Sequence, residues 1–235
     1  MNRGFALVLL ALACAPQNSG TTVSASPNSL TRAEDSAGWK LLFDGTTTTG
    51  WRGYRSQTVP DNWSVSNGVL QVAAGKEGDL ITRDQYRNFD LMLDWKVDPG
   101  ANSGIMYRGL ETEDYIWRTA LEMQILDDAR HSDGKNPLTS AGSLFALYPA
   151  PRGVVKAAGE WNTARLLVQG NHVEHWLNGT RLFEYELGSD DFRARVAASK
   201  FKSMPNFGKA PSGYIGLQAH GDHVEFRNIK IRTLP

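Results

Sequence analysis

Residues 89–97 read FDLMLDWKV, a stretch in which every second residue is large and apolar. Because successive side chains of a β-strand point to opposite faces, this pattern predicts an antiparallel strand with one face in a core. Two dipeptides, Asn67-Gly68 and Asn178-Gly179, lie between short runs of similar character and are typical of tight hairpin turns. The chain around residues 89–97 is therefore expected to consist mainly of strands joined by hairpins.

Further strands are predicted wherever a short apolar or alternating run lies between glycine, asparagine or proline residues. These runs are residues 63–65, 69–72, 103–107, 121–126, 163–169, 172–177, 181–185, 214–219 and 224–231. One short helix is predicted at residues 190–199, with Ser189 as its N-cap. The pattern predicts an all-β fold, a jelly-roll β-sandwich of two antiparallel sheets.

The first residues have the pattern of an export signal. A short basic start is followed by an apolar run, residues 4–13, that is too short to span a bilayer. The sequence Ala11-Leu12-Ala13-Cys14 resembles a bacterial lipobox, which predicts a signal peptide at residues 1–13 and lipidation at Cys14. The alternative is an ordinary secretory signal with an incidental cysteine.

Residues 14–36 contain few large apolar side chains, which predicts a lipidated flexible linker ahead of one folded domain at residues 37–235. A lipidated cysteine carries enough acyl chains for stable membrane attachment. We therefore expect an exported lipoprotein on the periplasmic or cell-surface side of a bacterial membrane, attached to that membrane through its lipid only.

The charge balance excludes one large class of partner. The 235 residues include 25 basic and 25 acidic side chains, so the formal net charge is zero, and no run of like charge occurs. Binding to phosphate backbones needs a basic surplus or a basic stripe, so we expect no nucleic-acid partner. Because Cys14 is the single cysteine, no intramolecular disulfide can form.

The alternation of side chains sorts polar residues onto shared faces. In the predicted strand 121–126, Leu121, Met123 and Ile125 face a core, whereas Glu122 and Gln124 face the opposite way. The same rule puts Gln218 and His220 on one face of a second strand. We expect a set of polar and aromatic side chains to converge on a concave sheet face: Arg108, Glu122, Gln124, Trp176, Gln218 and His220. The alternative is that each is an ordinary solvent-facing residue.

A possible divalent metal ion is the only cofactor that the residues suggest. Asp127, Asp128 and His131 follow the predicted strand 121–126 and could bind such a cation, since hard cations take clustered oxygen ligands. The same residues could instead cap a loop. His172, His175 and His223 form no compact metal motif, and the patterns of phosphate-binding loops and nucleophilic serine sites are absent from the sequence.

A series of motifs, from Gly38 to about Thr233, resembles the 3-keto-disaccharide hydrolase domain family, whose members are also described as 3-keto-glucoside lyases and hydratases. In chain order the motifs are Trp39–Gly45 with Gly50-Trp51, Asn102–Ile105 with Tyr107-Arg108, Glu122–Asp127, Gly159–Asn162, His175–Gly179, Ser199–Phe201, Gly216–Gly221 and Phe226–Ile229. One departure is Ala219, where many members carry an acid between the glutamine and the histidine.

The resemblance implies a concanavalin-like jelly roll and the cleavage of glycosides that carry a ketone at sugar carbon 3. In that reaction a base removes the hydrogen on carbon 2, the aglycone is expelled from carbon 1 and water adds to the product. The implied catalytic residues are His220 for proton transfer, Glu122 as rival base or as acid, Arg108 or a metal for the enolate, and Lys200 as an electrophile. The implied sugar-binding residues are Gln124, Gln218, Trp176, Asn102 and Tyr107.

Two other functions are compatible with the same sequence. The domain could be a non-catalytic carbohydrate-binding module on a surface lipoprotein, because a fold does not determine a function. It could also be a structural surface protein without a small ligand. The acid and base separate these readings, since a binding module has no use for Glu122 and His220 as titrating groups.

Overall fold

The computed structural model describes residue 1 and residues 26–235, so residues 2–13 of the predicted signal peptide, Cys14 and the predicted linker up to residue 25 lie outside the described residues. Within residues 26–235 no helix is long and apolar enough to cross a bilayer. The described part contains short 3-10 helices at Ile116–Arg118, Ser132–Lys135 and Lys200–Ser203, and two α-helices, α1 at Arg32–Ser36 and α2 at Asp190–Ala198.

Strands make up most of the described chain. In chain order they are β1 Trp39–Leu41, β2 Trp51–Gly53, β3 Trp63–Ser66, β4 Val69–Val72, β5 Leu80–Thr82, β6 Phe89–Val97, β7 Asn102–Gly109, β8 Leu121–Leu126, β9 Asn162–Gln169, β10 His172–Leu177, β11 Thr180–Glu186, β12 Tyr214–Leu217 and β13 Val224–Thr233. The predicted strands agree with these bounds to within two residues at most ends. The predicted helix is α2, and the Ser189 hydroxyl accepts a hydrogen bond from the Phe192 amide as its N-cap.

The strands form two antiparallel sheets. The larger sheet has the order β11-β10-β9-β6-β13-β4-β3, with β1 also paired to β13, and the smaller sheet has the order β2-β5-β12-β7-β8. The hairpin at Asn67-Gly68 has positive φ angles of 52° and 76°, as a two-residue type I′ turn requires. The predicted all-β sandwich of two antiparallel sheets is confirmed.

The core lies between the two sheets. Trp95 of β6 pairs with Phe226 of β13, and both side chains are fully buried against residues such as Tyr107 and Met123 from the smaller sheet. The alternation of residues 89–97 is confirmed on the core side. On the outer face of β6, Asp90 is also buried, and it forms ion pairs with the guanidinium groups of Arg165 and Arg232.

The folded part of the chain begins within the segment predicted to be a linker. Thr31 and Glu34 form a reciprocal capping box at the start of α1. Asn28 accepts from the backbone N–H of Asn228 at 2.8 Å and donates its own N–H to the Asn228 side chain at 2.7 Å. Residues 26–36 therefore fold against β13. Hydrogen bonds of polar side chains hold this segment in place, so its low content of large apolar residues does not reveal that it is folded.

A buried polar network lies beneath β10. His175 is fully buried, and its Nδ1–H donates to the Gly142 carbonyl at 3.0 Å. That tautomer, assigned from the hydrogen-bond partners, leaves Nε2 to accept from the Tyr107 hydroxyl at 2.9 Å. The Tyr107 oxygen then accepts from the Tyr185 hydroxyl at 2.6 Å. In this arrangement both nitrogens of the neutral imidazole have a hydrogen-bond partner.

Acid is expected to weaken this fold through His175. Burial lowers the pKa of His175 from 6.5 to about 4, so below pH 6.5 the unfolded chain takes up a proton that the folded chain refuses. The free energy of unfolding contributed by this residue therefore falls as pH drops from 6.5 towards 4. We expect the stability of the wild type relative to His175→Gln to decrease by about 2 kcal/mol between pH 7.5 and pH 5, as measured by urea unfolding.

His172→Gln is the matched control. His172 is partly exposed on the same strand, and its ring N–H donates a hydrogen bond to Glu186 that raises the pKa of His172. This substitution should therefore leave the acid-induced loss in place. Equal pH dependence in the wild type and His175→Gln would contradict the assignment.

Candidate functional site

A cavity of about 630 Å³ lies on the outer face of the smaller sheet, away from the core. We call it the site cavity. Its lining includes these residues from the predicted site: Asn102, Glu122, Gln124, His131, Lys200, Gln218 and His220. A larger open groove of about 1270 Å³ lies beside the C-terminus and is lined by none of the predicted site residues.

Strand β8 supplies the floor of the site cavity. The core cluster contains Leu121, Met123 and Ile125, so Glu122 and Gln124 project outward, as the period of two requires. The hydrogen-bond network assigns the Gln124 amide nitrogen to the Glu122 side, where it donates to Glu122 Oε1 at 3.2 Å. Position 104 on the neighbouring strand β7 is a glycine, and a Cβ atom there would collide with the Glu122 carboxyl group.

Glu122 is a carboxyl group that favours its protonated form. It is 9% exposed. Burial raises the pKa of Glu122 from 4.5 to about 8, Lys200 opposes that shift by its positive charge, and the Asp79 carboxylate adds to it. At neutral pH this side chain can donate a proton to a bound ligand.

Asp79 is a second acid of the site cavity, and the sequence reasoning missed it. It lies immediately before β5, and its carboxylate accepts a hydrogen bond from the Ala219 backbone N–H at 3.0 Å. Burial raises the pKa of Asp79 to about 6, with Glu77 adding to the shift and His220 opposing it. No local motif marks this residue, since only the pairing of β5 with β12 brings it beside residues 218–220.

His220 lies in a loop just beyond the end of β12. Strand β12 ends at Leu217, two residues earlier than predicted, and the Gln218 N–H donates to the Gly104 carbonyl. His220 then forms an isolated antiparallel bridge with Glu77 and is exposed at the edge of the site cavity. Residues 218–220 therefore line the cavity from a loop that two flanking strands hold in place.

Lys200 provides a positive charge above the floor. It begins the 3-10 helix after α2, and its Nζ lies 4.2 Å from the centroid of the Phe145 ring and 5.7 Å from that of Trp117. Although the residue as a whole is exposed, burial of the ammonium end lowers the pKa of Lys200, and Glu122 and Asp133 oppose the shift. The ammonium group lies within electrostatic range of the Glu122 carboxyl.

Three predicted site residues lie elsewhere, and these expectations are corrected. Arg108 has a φ of 54° beside a bulge in the β7–β12 pairing, and its guanidinium donates to the carbonyls of Arg87 and Gly170. The Tyr107 side chain is fully buried in the core network described above. Trp176 lies on the larger sheet, where its indole N–H donates to Glu174 at 2.6 Å.

The predicted metal candidates are divided between two roles. Asp127 accepts from the Gly100 and Ala129 amides, and Asp128 accepts from the Ala141 amide, so both carboxylates hold loops, as the alternative reading expected. His131 lines the site cavity, and its Nδ1 accepts from the Asp133 amide at 3.1 Å. Among the described residues, three possible ligand atoms lie within 4.8 Å of one another at His172, Glu174 and Glu184, outside the site cavity.

The fold and the cavity together define a class of protein. It is an antiparallel β-sandwich whose outer sheet face carries a buried acid, a second carboxyl group, a histidine and a lysine around one cavity. The chain belongs to the 3-keto-alpha-glucoside-1,2-lyase-like domain family, whose model matches residues 38–232.

Similar proteins support this membership. A 3-keto-disaccharide hydrolase from Bacteroides thetaiotaomicron is 34% identical over 90% of this chain and 83% of its own length. The crystal structure of a candidate glycosyl hydrolase from Parabacteroides distasonis is 33% identical, covers 89% of this chain and 100% of its own, and superposes with a TM-score of 0.84. A Bacillus subtilis protein with a galectin-like fold, 13% identical, covers 88% of this chain and 94% of its own with a TM-score of 0.51, which agrees with the predicted jelly roll.

The burial of Glu122 is expected to cost stability. The folded chain keeps the Glu122 proton up to a pKa of about 8, whereas the unfolded chain loses it near 4.5, so the free energy of unfolding falls as pH rises through this range. Glu122→Gln removes the titrating group and keeps the shape. We expect its stability relative to the wild type to rise by roughly 4 kcal/mol between pH 5 and pH 8.5, as measured by urea unfolding.

Glu184→Gln, an exposed acid on β11, is the control and should show no such gain. If Glu122→Gln gained nothing at pH 8.5, the carboxyl group would have to be solvated and ionised in the folded protein.

Proposed function

We propose that this protein cleaves 3-keto-glycosides by elimination of the aglycone followed by addition of water. The observation that carries the proposal is the pairing of Glu122, protonated at neutral pH, with Asp79 and His220 around one cavity. Titratable groups whose surroundings push their pKa values apart can act as acid and base at the same pH. Membership of the 3-keto-alpha-glucoside-1,2-lyase-like family and the named activity of the Bacteroides relative support the substrate class.

The proposed reaction begins at the ketone on carbon 3, which acidifies the hydrogen on carbon 2. A base takes that proton, and the C–H electron pair forms an enolate at the carbon 3 oxygen. Return of that pair forms a double bond between carbons 1 and 2 and breaks the bond to the aglycone oxygen, which takes a proton and leaves as an alcohol. Water then adds its oxygen to carbon 1 and a proton to carbon 2, so the net result is hydrolysis.

The residues of the site cavity suit these steps in different ways. His220 is the proposed base, and the Asp79 carboxylate stabilises the imidazolium that forms. Glu122 protonates the departing oxygen, and the Lys200 ammonium takes the part assigned to Arg108 by sequence, stabilising the enolate. The polar side chains left to orient the sugar hydroxyls are Asn102, Gln124 and Gln218.

Asp79 also bears on the departure of the sequence from its family. Ala219 stands where many members carry an acid between the glutamine and the histidine. In this chain the Asp79 carboxylate accepts directly from the Ala219 N–H, so an acid from the neighbouring strand lies next to the same position. This supports activity despite the alanine.

Cleavage in D₂O tests the reaction type. We expect the purified protein to release the aglycone from an aromatic 3-keto-α-glucoside but not from the unoxidised glucoside, and to leave deuterium on carbon 2 of the sugar product, because water supplies that hydrogen after elimination. The measurement is aglycone absorbance followed by mass spectrometry of the sugar, with and without chelator. A 3-keto sugar incubated without enzyme corrects for spontaneous exchange.

Variants in the same assay assign the roles. Glu122→Gln should remove the alkaline limb of the pH–rate profile, near pH 8, and Asp79→Asn should slow the reaction because the imidazolium of His220 loses its carboxylate partner, each with a loss of about a hundredfold in rate. Glu184→Gln is the matched control. Release with only protium at carbon 2 would exclude elimination, and sugar binding without any release would support the non-catalytic module instead.

We also propose that the domain works outside the cytoplasm, tethered through lipid at Cys14. The support is the lipobox-like sequence that ends in the single cysteine of the chain. In a bacterial host, Cys14→Ser should lose incorporation of labelled palmitate and move from the membrane fraction to the soluble fraction. Unchanged membrane association of an unlabelled Cys14→Ser protein would rule out the lipid anchor.

A further inference from the structure

An exposed aromatic pair stands at the rim of the site cavity. Tyr115 is 51% exposed and is the only large hydrophobic side chain within residues 26–235 that is strongly exposed. Its ring stacks on Trp117, with 5.7 Å between centroids and 21° between planes. Both residues line the site cavity from the loop 110–120 that joins β7 to β8. This pair had no place in the sequence-based site.

The loop that carries the pair is held firmly. Arg52, itself 7% exposed, forms a two-pronged ion pair with Glu111 at 2.6 and 2.7 Å. The Tyr54 hydroxyl donates towards the carbonyl of Glu113 at 2.7 Å. Exposure of Tyr115 is therefore a feature of a fixed loop.

Ile116 explains why its two neighbours point outward. It is fully buried and packs against the outer face of the smaller sheet, where it occupies space that a Cβ atom at Gly109 or Gly216 would fill. With Ile116 turned inward, Tyr115 and Trp117 are left to present their rings at the rim. The sheet is thus shaped to support this loop.

We propose that Tyr115 and Trp117 form the binding subsite for the ring of the leaving group, a proposal that rests on the function proposed above. Aromatic faces bind the flat apolar C–H face of a pyranose or the plane of an aromatic aglycone. The acid that protonates the departing oxygen is Glu122, and the charge of Lys200 reaches both Glu122 and the Trp117 ring. We place the group attached to that oxygen on the side of the cavity that Tyr115 and Trp117 line.

The subsite gives selectivity that depends on the aglycone. Contacts with a remote ring help to hold the reacting bond in place, so their loss lowers kcat/KM only for substrates that possess the ring. The test compares Tyr115→Ala with the wild type on a 3-keto-disaccharide, an aromatic 3-keto-glucoside and a methyl 3-keto-glucoside. We expect kcat/KM to fall about tenfold for the first two and less than twofold for the methyl glycoside, with recovery in Tyr115→Phe.

Trp176→Ala is the matched control, since it removes an aromatic ring from the larger sheet, and it should leave kcat/KM for all three substrates unchanged. A uniform loss across the three substrates would overturn the proposal, because it would show that Tyr115 only supports the fold of the loop. If gel filtration showed the wild type as a dimer and Tyr115→Ala as a monomer, with the three kcat/KM values unchanged, the proposal would also be overturned and the ring assigned to a contact between copies.

A binding measurement separates this inference from the proposed function. Calorimetric titration of the unoxidised disaccharide and of methyl glucoside needs no cleavage. Weaker binding of the disaccharide alone to Tyr115→Ala would support the subsite even if the wild type released no aglycone. If the wild type cleaves the substrate but the wild type and Tyr115→Ala bind the disaccharide equally well, the proposed reaction is retained and the proposed subsite is rejected.

Discussion

The site depends on one carboxyl group that the fold withdraws from water. Glu122 projects from the start of β8, and the space for its carboxyl group exists because Gly104 on the next strand has no side chain. The Gln124 amide contacts one carboxyl oxygen, and the positive charge of Lys200 is insufficient to keep the group ionised at neutral pH. The fold therefore maintains a neutral acid next to ionisable partners, at a cost to its own stability.

Two buried groups set opposite limits on the pH range of the protein. His175 must stay neutral within the core network, so acid works against the folded state, whereas Glu122 must stay protonated, so alkali works against it. The histidine belongs to the packing between the sheets, where all its hydrogen bonds are made. The glutamate lies on the opposite face of the smaller sheet, where its proton is available to a ligand. Of the two buried groups, only Glu122 lines the site cavity.

The sequence predicted the strands well, but it predicted only in part which face of a sheet each side chain occupies. Alternation and Asn-Gly turns are local signals, and residues 89–97, 121–126 and 172–177 form strands with the predicted bounds. Arg108 was assigned to the wrong face because a positive φ and a bulge interrupt the period of two. Trp176 was assigned to the site because periodicity tells which way a side chain points but not which sheet holds its strand. Asp79 could not be found, since its importance comes from a strand pairing across the chain.

Three glycines leave space on the outer face of the smaller sheet for residues that build the site cavity. A Cβ atom at Gly104 would occupy the position of the Glu122 carboxyl group, and Cβ atoms at Gly109 and Gly216 would approach Ile116 to within 2.6 and 2.9 Å. None of these three has a positive φ, so the requirement is for space and not for an unusual backbone conformation. The space above Gly104 accommodates the carboxyl group of Glu122. The space above Gly109 and Gly216 accommodates Ile116, which anchors the loop that carries Tyr115 and Trp117. The chemistry and the rim of the cavity thus follow from the same feature, a sheet face cleared of side chains where other residues must approach it.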